Sequence, residues 1–267
     1  MTVQDTTSID TDGLTTDRFL GGSLTLLQPR EGYRAGSDAV LLAAAVMAGM
    51  GDTLLDVGCG VGTAGFCALH RVPDCHLWGI ELQPELLAVA ERNAVQNGFG
   101  DRAHMIAADI GERKAFAGLR GPGGKPLLEV GFDHVMTNPP FYGKGRAQAA
   151  KTPIKTLAHI EGSVALPEWL QFCVARAKTK GRITVIHRAD RLGDVIKALS
   201  IACGSLTVIP LWPDGETSAK RVIVQAVKGV KGPLELTRGL VLHEKSGKPT
   251  LAAEQISRRG ASLKDVL

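Results

Sequence analysis

The chain of 267 residues is 44% hydrophobic and 22% charged, with 32 glycines and 13 prolines, which excludes global disorder and fibrous sequence and fits one large α/β domain with short appendages. A net charge of +4 is modest, and the longest apolar run, Ala39 to Ala48, is half the length that a bilayer requires, so no membrane-spanning segment is expected. Five cysteines (59, 67, 75, 173 and 203) form no CxxC pair, a scatter that suits reduced thiols in a cytoplasm and lacks metal-binding spacing.

Residues 1–17 carry six Thr, four Asp and no Lys or Arg; they lack the basic start and apolar stretch of a signal peptide and read as a disordered tail. Residues 18–52 form a segment ahead of the first strand. Within it Asp38 to Met50 reads as a helix, with Ser37 or Asp38 as N-cap and Gly49 and Gly51 as stops. Thr53 to Val57 is an apolar strand, Thr63 to Arg71 a helix, Cys75 to Ile80 a strand, and Pro84 to Asn97 a helix ended by Gly98. Strands follow at His104 to Ala108 and Phe132 to Met136, separated by a Gly/Pro-rich, flexible insertion from Arg120 to Pro126. Leu166 to Ala177 is helical, with Trp169 and Phe172 on one core-facing side. Arg182 to Ile186 is a strand and Asp190 to Ala202 a helix. Leu206 to Leu211 and Arg221 to Val227 are joined by a Pro213-Asp-Gly turn into an antiparallel closing pair. Residues 53–230 thus form the main domain, and residues 231–267 an extension in which Leu251 to Leu267 is helical and Arg258 and Arg259 face RNA or solvent.

Strands separated by helices of about a dozen residues imply right-handed βαβ units. The fold class is therefore a doubly wound, Rossmann-like, mostly parallel sheet, with ligands at the carboxyl ends of its strands.

Asp56-Val-Gly-Cys-Gly-Val-Gly62 follows the first apolar strand and opens a helix, so its missing β-carbons let a ligand approach the backbone. The candidate cofactor residues are Asp56, Gly58, Cys59, Gly60 and Gly62, with Glu81 and Asp109 at the next two strand ends. Gly60, Gly62 and Gly65 also spell the dinucleotide pattern GxGxxG, which keeps an NAD-dependent oxidoreductase as an alternative. Against it, Asp56 suits an ammonium group and would repel a pyrophosphate, and no proton donor for hydride chemistry stands out. The two oxygens of Glu81 can take both hydroxyls of a ribose. Asp109 either accepts from an adenine amino group or caps a helix.

Asn138-Pro-Pro-Phe141 directly follows the fourth strand. Two prolines fix φ and remove two backbone donors, so the side-chain oxygen of Asn138 and the carbonyl of Pro139 present acceptors together. Such a pair suits a planar NH2 group, whose lone pair it leaves free. Asn138, Pro139, Pro140 and Phe141 are the candidate catalytic residues, with Phe141 stacking on a flat acceptor. The alternative is a proline-rich turn with Phe141 in the core. Tyr142 reads either as a residue lining the substrate entrance or as an ordinary loop aromatic. The acid-free run from Pro139 to Ile160 holds Lys144, Arg146, Lys151 and Lys155, and residues 220–260 hold nine bases against three acids; both are candidate phosphate-facing surfaces or solvated faces. The histidines show no i, i+4 pair and no cysteine at zinc spacing, so no metal is expected.

The glycine loop, Glu81 and Asp109 resemble the motifs of class I S-adenosylmethionine-dependent methyltransferases. The resemblance implies a seven-stranded sheet with a reversed last strand and S-adenosylmethionine as cofactor. Asn138-Pro-Pro-Phe141 resembles the motif of methyltransferases acting on adenine N6, guanine N2 and glutamine N5. With Gly32-Tyr-Arg-Ala-Gly-Ser-Asp-Ala-Val-Leu-Leu42 and Ala219-Lys-Arg-Val222, it is similar to the tRNA (valine) adenine-N6 methyltransferase family. That likeness implies that residues 18–52 cover the cofactor, with Ser37 and Asp38 as contacts, and that the partner is tRNA in the cytoplasm. The segments 120–126 and 144–155 depart from the family pattern. Glutamine methyltransferases of the release-factor type carry a helical N-terminal domain, for which the 50 residues ahead of the first strand leave little room. A non-catalytic RNA-binding module would have no use for Asn138.

Overall fold

The computed structural model describes residues 13–32, 34–140 and 164–267. The expected sites at Phe141, Tyr142, Lys144, Arg146, Lys151 and Lys155 lie outside the described residues, as do residues 1–12 of the expected tail.

Regular structure begins within the expected tail, at Leu14. Strands β1 (Leu14–Phe19) and β2 (Leu24–Pro29) pair antiparallel from Leu14 with Pro29 to Phe19 with Leu24. Leu14, Phe19, Leu24, Leu26 and Leu27 are buried, and the buried Asp17 is bound by Gln28 and Arg34. The hairpin docks on helix α3 (Pro84–Gln96) through side-chain amides. Asn93 Oδ1 accepts from the Leu27 N–H at 2.7 Å and its Nδ2 donates to the Leu27 carbonyl at 3.0 Å; Asn97 repeats this with Thr25 at 3.0 and 2.9 Å. Helix side chains thereby satisfy an outer strand edge that would otherwise stand bare.

Helix α1 (Ser37–Ala45) begins after a Gly36 N-cap and ends ahead of the glycine stops. Its last carbonyls have remote partners: Arg71 donates to Ala43 and Val46, and Gln225 to Ala45. A helix whose terminal acceptors are met in this way needs no local stop signal.

The main sheet contains β3 (Thr53–Val57), β4 (His76–Glu81), β5 (Ala103–Ala107), β6 (Phe132–Thr137), β7 (Ala177–Arg188), β8 (Cys203–Trp212) and β9 (Arg221–Lys228). Their order is β5-β4-β3-β6-β7-β9-β8, parallel up to β7, with β9 antiparallel to both β7 and β8. This is the expected mostly parallel sheet with a reversed last strand. The turn at Pro213 is closed by Asp214, whose carboxylate accepts from the N–H groups of Glu216 and Thr217.

Alternation along the strands sends Leu54, Leu77 and Met136 to one face and Leu55, Trp78 and Val135 to the other. On the first face pack α1, α2 (Thr63–Arg71), α6 (Leu251–Arg259) and α7 (Leu263–Val266); on the second pack α4 (Leu166–Arg176) and α5 (Leu192–Leu199). Residues 231–267 are continuous with this core. Two short strands, β10 (Glu235–Leu236) and β11 (Leu240–Val241), add parallel to β8, and Ile256 and Leu263 are buried. Gly260, at φ 66°, breaks the expected single last helix into α6 and α7. The insertion from Arg120 to Pro126 closes on itself, with a bond from the Gly121 N–H to the Lys125 carbonyl at 2.9 Å, above a fully buried Leu127.

Candidate active site

The carboxyl ends of β3, β4 and β6 bring the glycine loop, Glu81 and Asn138 to one edge of the sheet. Gly58 and Gly62 adopt φ 75° and 86°, where a side chain would be strained. A Cβ on Gly62 would stand 2.2 Å from the Phe66 ring, and one on Gly58 2.9 Å from Trp169. Gly60 also lies in the left-handed region, and its N–H donates to Glu81 Oε2 at 2.9 Å. Gly65 lies inside α2, where a Cβ would meet Leu77 at 2.5 Å. Its need is helix–strand packing, a role the third glycine of a dinucleotide fingerprint also fills, so Gly65 does not distinguish the two cofactors.

Asp56 is 2% exposed and accepts from the Gly65 N–H at the start of α2. Burial, opposed by the Gly65 bond and aided by the nearby charge of Glu81, pushes its carboxyl up to about 7. Among the described residues, Asp56 Oδ2 and Thr63 Oγ1 are buried without a hydrogen-bond partner. Two orphaned acceptors beside a backbone cradle are the arrangement a cationic, hydrogen-bond-donating ligand would complete.

Glu81 is 7% exposed and already engaged: Oε1 accepts from the Leu82 and Gln83 N–H groups at 2.9 Å each, and Oε2 from Gly60. A carboxylate has about four acceptor positions. One remains, so Glu81 has room for one ribose hydroxyl where the sequence reading gave it two.

Cys59 is turned away from the ligand edge. A Cβ on Gly79 would stand 2.9 Å from its sulfur, and its N–H donates to the Ile80 carbonyl, so it packs the loop onto β4 and offers no thiol to a cofactor. Asp109 lies two residues beyond β5 and accepts from the Gly111 N–H at 2.8 Å, closing a local turn. Only a short 3-10 turn follows, at Arg113–Phe116, so the N-cap reading has no α-helix to cap. Ser37 is the exposed first residue of α1. Asp38 binds Arg221 Nε at 2.9 Å, which joins two segments singled out in the sequence, 183 residues apart.

Asn138 follows β6 directly, half-buried, with Pro139 buried behind it. Among the described residues, its Oδ1 is a third buried acceptor without a partner. Sequence reasoning missed three residues of this edge: Thr63, Thr137 and Trp169. The two threonines directly flank the glycine loop and the Asn-Pro-Pro turn, so adjacency to those motifs is the signal that could have found them, whereas Trp169 carries a periodicity that reads simply as core. Among the described residues, no three His, Cys, Asp or Glu side chains gather as a metal site, and no helix is long and apolar enough to cross a membrane.

A family profile described as a methyltransferase domain matches residues 49–191, which run from before β3 to the start of α5. The tRNA1(Val) (adenine(37)-N6)-methyltransferase of Aliivibrio salmonicida is 28% identical over 155 residues, covering 58% of this chain and 60% of that protein. The protein of the same name from Yersinia enterocolitica is 27% identical over 187 residues, covering 68% of this chain and 69% of its own. Among solved structures, a predicted O-methyltransferase from Agrobacterium tumefaciens superposes with TM-score 0.68 at 25% identity, over 84% of this chain and 97% of that one. An S-adenosylmethionine-dependent O-methyltransferase from Thermotoga maritima, 16% identical, shares the fold at TM-score 0.51 over 76% of this chain and 69% of its own.

Proposed function

The chain belongs to the methyltransferase domain family and is an S-adenosylmethionine-dependent methyltransferase, and from that premise we propose that it methylates an exocyclic amine of RNA, adenine N6 in a tRNA loop, in the cytoplasm. The observation that carries the reading is the buried, unpartnered Oδ1 of Asn138 in an Asn-Pro-Pro turn at the end of β6.

The cofactor supplies a methyl group on a sulfonium. Asp56 and Thr63 offer their orphaned oxygens to its amino-acid part, and Glu81 offers its remaining acceptor position to the ribose. Asn138 Oδ1 and the Pro139 carbonyl accept hydrogen bonds from the two N–H groups of the acceptor amine and leave its lone pair free for the methyl group; one of those two protons then leaves the methylated nitrogen for solvent. Neither prolyl residue brings an N–H to compete for those acceptors. Phe141 stacks on the base. No side-chain nucleophile is needed for an in-line transfer, whose rate comes mostly from positioning. A target adenine must be splayed from its stack, which favours a single-stranded loop over a duplex. The names of the Aliivibrio and Yersinia relatives support the choice of tRNA.

The test is tritium transfer from labelled S-adenosylmethionine into total RNA of a strain lacking this protein, followed by nuclease digestion and nucleoside mass spectrometry. Labelled N6-methyladenosine is expected. Labelled N2-methylguanosine would move the function to guanine, label in protein to glutamine N5, and label on an oxygen to the chemistry named for the Agrobacterium structure.

A further inference from the structure

Phe172 lies beside Phe116, with ring centroids 5.5 Å apart, as expected of a core residue. Trp169, one turn earlier on α4, packs partly against the same core but reaches over the ends of β3 and β6. Its six-membered ring closes on Gly58, where a Cβ would stand 2.9 Å from Cζ2. Its indole Nε1–H donates to Thr137 Oγ1 at 2.9 Å, and the fully buried Thr137 hydroxyl donates to the Val57 carbonyl at 2.7 Å. Val57 and Thr137 are the last paired residues of β3 and β6. Each immediately precedes a turn of the site, Gly58 on the cofactor side and Asn138 on the acceptor side. The relay therefore stitches the two turns together where the sheet ladder stops.

We propose that Trp169 is a positioning residue for methyl transfer, holding the glycine loop and the Asn138 turn at a fixed separation through the Thr137 hydroxyl. The proposal rests on the reading of Asn138 as the residue that holds the acceptor, and is independent of whether that acceptor is RNA. Transfer between two held groups is steep in their separation, and a misplacement of about 1 Å can cost on the order of a hundredfold in rate. Binding of the cofactor alone needs only one side of the relay. Loss of the relay should therefore appear in turnover and spare cofactor affinity.

Two measurements test this. In the 15N-labelled chain, the Trp169 indole signal, identified by its loss in Trp169→Phe, is expected to exchange slowly with solvent, to shift on addition of S-adenosylhomocysteine, and to exchange fast in Thr137→Val. In turnover, with whichever fraction the wild type labels as acceptor, Trp169→Phe and Thr137→Val should each lower kcat about tenfold while the calorimetric Kd for S-adenosylhomocysteine stays within about twofold. The double variant should be no worse than either single one, and Thr137→Ser should keep wild-type turnover. An indole signal that exchanges fast and ignores S-adenosylhomocysteine, unchanged kcat in both variants, losses that multiply in the double variant, or a parallel fall in cofactor affinity would each overturn the proposal. If the wild type labels protein and leaves RNA unlabelled, the RNA reading fails while this test runs on the protein acceptor. If it labels neither, the indole measurement alone decides.

Discussion

Replacing Asp56 by Asn should stabilise the cofactor-free protein above neutral pH while weakening its hold on S-adenosylmethionine. The folded chain keeps the Asp56 proton up to about pH 7, whereas a solvated carboxyl releases it near 3.8. Between those values the folded state holds a proton on Asp56 that the unfolded state does not, so the contribution of Asp56 to stability falls as pH rises from about 4 to about 7 and is level above. That rise corresponds to roughly 4 kcal/mol lost by pH 8, of which about a third is lost by pH 5. In Asp56→Asn the amide is neutral throughout and its oxygen still accepts from the Gly65 N–H, so this contribution is absent, and the stability of the variant relative to the wild type should rise across that window, while His134 and His187, whose charging is opposed by burial, titrate alike in both proteins. With cofactor the order reverses, because the amide cannot pair with an ammonium group; affinity should fall by about tenfold to a hundredfold. Wild-type affinity should itself climb as pH rises through about 7. Urea unfolding from pH 5 to 8.5 without cofactor, together with calorimetric titration of S-adenosylmethionine, measures both effects. Parallel pH–stability curves for the two proteins would refute the burial argument, and unchanged affinity would show that the cofactor does not lie against Asp56.

Asn93→Ala should cost about 2 to 3 kcal/mol, because the edge of β2 at Leu27 loses both partners in a buried place; native-state hydrogen exchange should show the β1–β2 hairpin opening before the main sheet. Replacing Lys144, Arg146, Lys151 and Lys155 by Ala should flatten the salt dependence of RNA binding, whose slope is about −0.7 per phosphate contact on single strands. An identical slope in the quadruple variant would make the run a solvated face.

The sheet and the glycine loop are legible in the sequence because their signals are local. Thr53-Leu-Leu-Asp-Val is a contiguous apolar run, and the glycines mark where β3 turns into α2, so both elements appear with their expected bounds. Asp56, Glu81 and Asn138 could be placed because strand ends in a parallel sheet share one edge. What could not be read depends on remote partners. Leu14 to Asp17 look unstructured by composition, yet Arg34 binds Asp17, and Asn93 and Asn97 hold the strand paired with that segment. Asp38 reads as a helix cap until Arg221 arrives from β9. The Cys59 sulfur is aimed by a gap over Gly79 that no periodicity reveals. Trp169 shares a helix side with Phe172, and only the tertiary bond to Thr137 separates the two roles.

The proposed role of Asn138 is to act on the acceptor and leave the methyl donor to other residues, and the most direct measurement compares Asn138→Ala with the wild type in two assays on the same preparation. Calorimetry with S-adenosylmethionine should give dissociation constants within about threefold, since no donor contact is removed. Tritium transfer into RNA from the deletion strain should give labelled N6-methyladenosine with the wild type and none with the variant. Full transfer by Asn138→Ala would contradict the mechanism, and a collapse of S-adenosylmethionine binding in the variant would place Asn138 on the cofactor side of the site.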